Sequence, residues 1–231
     1  MISSGSRGDI GGNVSVTAGR DVNMSGGSGT GTGQYAYTMI GNGGEQRSST
    51  TTGNLSGNIT VDALRYLVMY GTGYGDFAQI GNGGGQEESA AQGTTTGNIT
   101  VTVGNASTPS TDTGNNLLTG NVPSDPSGSI IMDSTSNTDE AYVQIGHGGV
   151  NDQSTQGAIS GNITVTSTQN LLLISSFVCG SSGSTCLPTA DTAYLQIGHG
   201  GLMEHGGTPP SITNSTLTVS AYQINTQGSF Q

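Results

Sequence analysis

Apolar and polar positions alternate along this chain in short bursts. In Ala141-Tyr142-Val143-Gln144-Ile145 the odd positions are small or aliphatic and the even ones are larger and amphipathic. Ala193-Tyr194-Leu195-Gln196-Ile197 and Ala36-Tyr37-Thr38-Met39-Ile40 keep that parity, and Asp76-Phe77-Ala78-Gln79-Ile80 keeps it except at Asp76. A period of two predicts a strand with one buried face. The predicted inner set is Thr38, Ile40, Ala78, Ile80, Val143, Ile145, Leu195 and Ile197. The predicted outer set is Tyr37, Phe77, Tyr142 and Tyr194, with Met39, Gln79, Gln144 and Gln196.

Each burst runs into Ile-Gly-(Asn/His)-Gly-Gly, at 40–44, 80–84, 145–149 and 197–201. A second phrase, Gly-Asn-Ile-Thr-Val, follows at 57–61, 97–101 and 161–165, with a degraded copy at 215–219. Here Ile59, Val61, Ile99, Val101, Val103, Ile163 and Val165 are predicted to point inward. Val14, Val16 and Ala18 fit the same slot, followed by a short strand over 21–25. From the first Gly of one phrase to the next phrase the step is nearly constant: 41 to 57, 81 to 97, 146 to 161 and 198 to 215. The onward step to the next copy varies by tens of residues. A propeller blade would need a constant length; a stack of coils does not, because each coil touches only its neighbours. The predicted fold is therefore all-β, a parallel β-helix forming one domain over 1–231. Insertions are expected near 104–140 and 168–192, at one corner. The residues 221–225 read as a fifth copy of the Ala-Tyr-x-Gln-Ile burst.

Composition agrees with this reading. The chain has 41 glycines, no Trp, and only 8% charged residues, against about 25% in an ordinary globular domain. Net charge is −11, and Arg7, Arg20, Arg47 and Arg65 are the four strong cations. Nucleic-acid binding needs a cationic footprint, so it is excluded. The apolar runs 64–70 and 171–178 are shorter than the roughly 20 residues of a membrane helix. The N-terminus has neither the charged nor the apolar region of a signal peptide, and neither end carries an amphipathic capping helix. Cys179 and Cys186 lie seven apart in a Gly/Ser-rich stretch, which predicts a disulfide and an oxidising compartment.

The two phrases, together with the run from Asn13 to Gly27, resemble the repeats of filamentous-haemagglutinin-like adhesins. These are large bacterial surface exoproteins, often exported by two-partner secretion. The resemblance extends from about Gly12 to Ile224, interrupted by the insertions. It implies a right-handed parallel β-helix and a role in adhesion or spacing at the cell surface. The repeat lengths are irregular, and the N-terminal secretion domain of such exoproteins is missing.

Several residues are candidates for chemistry. Tyr37, Phe77, Tyr142 and Tyr194 should align as an outer ring ladder beside Gln79, Gln144 and Gln196. Rings flanked by amides suit a glycan, while cross-strand stacking is the structural alternative. Asn42, Asn82, His147 and His199 share one turn slot and should form a turn ladder, because Asn and His share a tolerance for tight turns and a hydrogen-bonding side chain. Two His near Glu204, His205 and Asp191 would otherwise suggest a metal. Arg7-Gly8-Asp9 matches an integrin-binding tripeptide beside an expected frayed terminus. Asn-x-Ser/Thr sequons recur, several as part of the second phrase. The turns lack the repeated carboxylate of calcium-binding solenoids, and Glu87, Glu88, Asp133, Asp139 and Glu140 do not converge as polysaccharide cleavage requires. The expectation is a non-enzymatic, secreted or cell-surface element with no cofactor. Its partner would be a glycan or a neighbouring cell surface, with end-to-end self-association as the alternative.

Overall fold

The computed structural model describes residues 7–27, 36–44, 51–71, 75–85, 90–104, 127–134, 141–149, 151–152, 155–175, 194–201, 203–204 and 209–227. Among these there is no helix, and the chain winds as successive coils whose equivalent strands pair in parallel. This is a parallel β-solenoid.

Among the described residues the coils stack their strands into four long rows, five strands in each of the first three and four in the fourth. The first row stacks Ile10–Gly11, Leu55–Ser56, Thr95–Thr96, Ile159–Ser160 and Ile212–Thr213. The second stacks Val14–Ala18, Ile59–Ala63, Ile99–Val103, Ile163–Ser167 and Leu217–Ser220. The third stacks Asp21–Gly26, Tyr66–Gly71, Ser129–Ser134, Asn170–Ser175 and Gln223–Gln227. The fourth stacks Tyr37–Ile40, Phe77–Ile80, Tyr142–Ile145 and Tyr194–Ile197. A short fifth row joins Thr51–Thr52, Ala91–Gln92 and Thr155–Gln156.

Register places like on like. Ile99 pairs with Ile59 on one side and Ile163 on the other, and Val101 with Val61 and Val165. The inward positions form one continuous core, including Ile59, Val61, Ala78, Ile80, Ile99, Val143 and Ile145. The inner parity read from both phrases holds throughout, and Val14, Val16 and Ala18 occupy the slot expected for them.

The third row narrows the two expected insertions. The stretches assigned as insertions, 104–140 and 168–192, each contain one of its strands, Ser129–Ser134 and Asn170–Ser175. The longer connections flank this row, 104–128 entering it and 176–193 leaving it. These strands do not alternate, because both of their faces are covered. Leu67, Met69, Ile130, Met132 and Leu171 join the core, while Val68, Ile131 and Leu172 form a second buried cluster on the other face. A strand buried on both sides reads as a plain apolar run. The 221–225 segment is also reassigned. Ile224 pairs with Leu171 in the third row, not with the Tyr194 strand, because only a two-residue corner separates it from Leu217–Ser220. Tyr222 sits in that corner, 82% exposed.

The first Gly of the Ile-Gly phrase is required by close approach. A Cβ on Gly81 would lie 1.8 Å from the Gly146 carbonyl oxygen, and one on Gly146 would lie 1.7 Å from that of Gly198. The second Gly is required by backbone shape, with φ of 96° at Gly83 and 90° at Gly148.

Candidate functional site: the polar ladders

The polar residues singled out from sequence converge on the turn that follows the fourth row, where they bond mainly to one another's coils. The aromatic residues stack as read. Ring centroids are 4.8 Å apart for Tyr37–Phe77, 4.6 Å for Phe77–Tyr142 and 5.1 Å for Tyr142–Tyr194, all within 7° of parallel. Their exposure is not as read. Phe77, Tyr142, Gln79 and Gln144 are buried, Tyr194 and Gln196 are half-buried, and only Tyr37 is open, at 46%. Alternation correctly separated the two faces of the strand, but the second face is dry as well.

What occupies that face is a two-way latch between coils. The Tyr142 hydroxyl donates to Gln79 Oε1 at 3.3 Å, and the Tyr194 hydroxyl to Gln144 Oε1 at 3.3 Å. In return Gln79 Nε2 donates to the carbonyls of Gly146, at 3.1 Å, and Gly148. Gln144 Nε2 donates likewise to Gly198, at 3.1 Å, and Gly200. A buried amide is costly unless satisfied, and here both ends of each side chain are used. Sequence reading assigned the Gln residues to ligand contact. The signal for the latch was present in their constant place, two residues before the phrase's first Gly.

Asn42, Asn82, His147 and His199 form a second ladder through the same turn. The Asn42 N–H donates to Asn82 Oδ1 at 3.0 Å, the Asn82 N–H to His147 Nδ1 at 2.9 Å, and the His147 N–H to His199 Nδ1 at 3.2 Å. The far side of each side chain reaches a carbonyl of the second phrase. Asn42 Nδ2 meets Gly12 O at 2.8 Å, Asn82 Nδ2 meets Gly57 O at 2.9 Å, His147 Nε2 meets Gly97 O at 2.9 Å, and His199 Nε2 meets Gly161 O at 2.8 Å. Because Nδ1 accepts, the hydrogen of each imidazole is on Nε2 and both rings are neutral. Burial pushes His147 down to about 4, against a smaller upward pull from the Gly97 carbonyl, and pushes His199 down as well. Asn and His interchange because each offers one acceptor and one donor at matching reach. Of the two expected reasons, the shared hydrogen-bonding side chain is the one these bonds use; left-handed backbone plays no part, since among described residues the only non-Gly positive φ is at Asn214.

The same bonds bear on metal binding. All four ring nitrogens of His147 and His199 are committed to backbone groups, and the rings stack 4.9 Å apart. Asp191 and His205 lie outside the described residues, as do Cys179 and Cys186, Glu87, Glu88, Asp139 and Glu140.

A third ladder runs along the second phrase. Asn13, Asn58, Asn98 and Asn162 each accept, through Oδ1, the backbone N–H of the next coil at 2.9–3.0 Å. Arg7-Gly8-Asp9 is part of the first coil rather than a frayed end: the Arg7 N–H donates to Thr51 O at 2.7 Å, and Asp9 Oδ1 accepts from the Asn54 N–H at 2.7 Å. Two carboxylates are sheltered. Asp76 is shifted up by burial and accepts from the Ala36 N–H at 2.7 Å. Asp133 lies beside Tyr70, whose hydroxyl is pushed up by burial first and by the Asp133 charge second.

The class that this architecture defines is the parallel β-solenoid, with side-chain ladders bonding each coil to the next. Comparisons with known protein families, with curated proteins and with solved structures give no match for this chain.

Proposed function

We propose that this chain is a non-enzymatic structural segment of an extracellular or cell-surface rod, of the kind found in filamentous-haemagglutinin-like bacterial adhesins. The observation that supports it is the use of polar residues. Amides, imidazoles and hydroxyls on the fourth row and its turn, where a site would be sought, are consumed in bonds between coils. Such a protein supplies length and stiffness. Any glycan or cell-surface partner is then met by exposed residues, among which Tyr37 and Tyr222 are accessible rings.

The test is a register-preserving deletion. Removing residues 57–96 takes out one 40-residue coil period and joins Ser56 to Gly97, which occupies the slot of Gly57. A rod segment should remain folded, with an unchanged sheet signature in circular dichroism, and shorten by about 4.8 Å. Loss of the fold, or loss of a polysaccharide-hydrolysing activity that the full chain displays, would refute the reading.

A second reading, a subunit stacking end to end, is favoured by the apolar residues of the terminal coils. Ile212, Leu217 and Ile224 are each about half exposed, and Val14 and Val16 hold the slots of Leu217 and Val219 at the other end. Concentration-dependent growth that Leu217→Pro abolishes would establish it, since proline removes a ladder donor. A concentration-independent monomer would rule it out.

A further inference from the structure

Asn-Gly occurs twice in this chain, at 42–43 and 82–83, both in the turn after the fourth row. It is the asparagine sequence most prone to deamidation, because the next residue's nitrogen attacks the side-chain amide and glycine has no Cβ to hinder it. Asn82-Gly83 lies inside the stack, bonded to the Asn42 coil on one side and the His147 coil on the other. The fold there holds every group that the reaction must move. The Asn82 side chain is fully buried. Its Oδ1 accepts from the Asn42 N–H at 3.0 Å and from Asn42 Nδ2 at 3.3 Å. Its Nδ2 donates to Gly57 O at 2.9 Å and Thr96 O at 3.3 Å. The attacking nitrogen is committed as well, since the Gly83 N–H donates to Asn42 O at 2.9 Å.

We propose that Asn82 is a deamidation site that the fold closes and unfolding opens, and that its modification makes unfolding one-way. In the unfolded chain the Gly83 nitrogen bonds to Asn82 Cγ and the Cγ–Nδ2 bond breaks. The proton from the Gly83 nitrogen leaves with Nδ2 as ammonia. Water then opens the cyclic imide at either carbonyl, giving aspartate or its isomer with the main chain routed through the side-chain carbon. Neither product fits this slot. Aspartate puts an acceptor oxygen where Nδ2 now donates to two carbonyls, and a buried charge facing carbonyls is costly. The isomer lengthens the main chain by one methylene. That breaks the register in which the Gly83 N–H bonds Asn42 O and the Gly148 N–H bonds Asn82 O at 3.0 Å. His147 and His199 fill the same slot with rings that have no amide to lose, and they keep the bond to the second phrase's carbonyl.

The test holds the full chain in mildly alkaline buffer with and without urea and follows amide-to-acid conversion by peptide mass spectrometry. In urea Asn82 should convert as fast as Asn42, which serves as the internal standard for an open Asn-Gly. Without urea Asn82 should convert at least about tenfold more slowly, because a folded chain reacts only through opening. After dilution from urea, the refolded fraction, separated by protease resistance, should hold at least about tenfold less modified Asn82 than the fraction that stays unfolded. Asn82→His, which installs the side chain of the later coils, should slow the loss of refolding yield with time in urea. The first two measurements use the parent chain, so they stand whether or not the variant folds. Equal conversion of Asn82 with and without urea, no conversion in urea while Asn42 converts, or equal modified Asn82 in the two fractions overturns the proposal.

Discussion

Acidification from pH 7 to pH 4 should destabilise this fold through His147. In the unfolded chain its imidazole titrates near 6.5, and in the fold burial holds it at about 4. Above pH 6.5 the ring is neutral in both states and adds no pH dependence. Between the two values the unfolded chain takes up a proton that the folded chain refuses, so stability falls as pH falls; below about 4 the loss levels off. At about 1.4 kcal/mol per pH unit the gap amounts to about 3 kcal/mol. The structural reason is that a proton on Nδ1 would oppose the Asn82 N–H that it now accepts. His199 acts in the same direction. Asp76 acts in the opposite direction, because a carboxyl raised by burial binds its proton more readily in the fold. The comparison that isolates His147 is His147→Asn, since Asn makes the equivalent two bonds at position 82. Denaturant midpoints followed by circular dichroism at pH 7, 5.5 and 4 should fall more steeply for the parent than for the variant. Parallel pH profiles would refute the neutral-ladder account.

Other substitutions test the remaining contacts. Ile145→Asp should cost several kcal/mol, because it buries an unpaired carboxylate in the core. Gln144→Asp should cost more than about 2 kcal/mol, although parity alone marks that position as outward; a cost below about 0.5 kcal/mol in urea unfolding would contradict the latch. Gly146→Ala should prevent stable stacking, since its methyl would lie 1.7 Å from the Gly198 carbonyl oxygen; a thermal melt like that of the parent would refute this contact. Arg65→Ala should lower the urea midpoint by the equivalent of about 1–3 kcal/mol, because Arg65 is buried and its guanidinium bonds Asp21 at 2.8 Å and 2.6 Å; an unchanged midpoint would show the pair to be dispensable.

The inner half of this protein was legible in the sequence. Ile59, Val61, Ile99 and Val101 alternate with Thr and Asn, and a period of two is a local property that any reader of five residues can see. The recurrence of the phrases with elastic spacing was enough to give a stack of coils. The outer half was not legible. Alternation reports that two faces of a strand differ; it does not report which of them is wet. Gln79 and Tyr142 look like surface residues because the groups that satisfy them belong to neighbouring coils, Gly146 lying 67 residues from Gln79 in the chain. The third row was hidden for a related reason: Ser129–Ser134 and Asn170–Ser175 are covered on both faces and lose the alternation that would mark them. The 221–225 segment shows the same limit. Its Tyr-Gln-Ile spelling matched the fourth row, but a two-residue corner after Leu217–Ser220 delivers it to the third. Local pattern thus determined which side chains enter the core. Only coil-on-coil register, set by distant backbone, decided that the polar positions are the mortar of the stack rather than its surface.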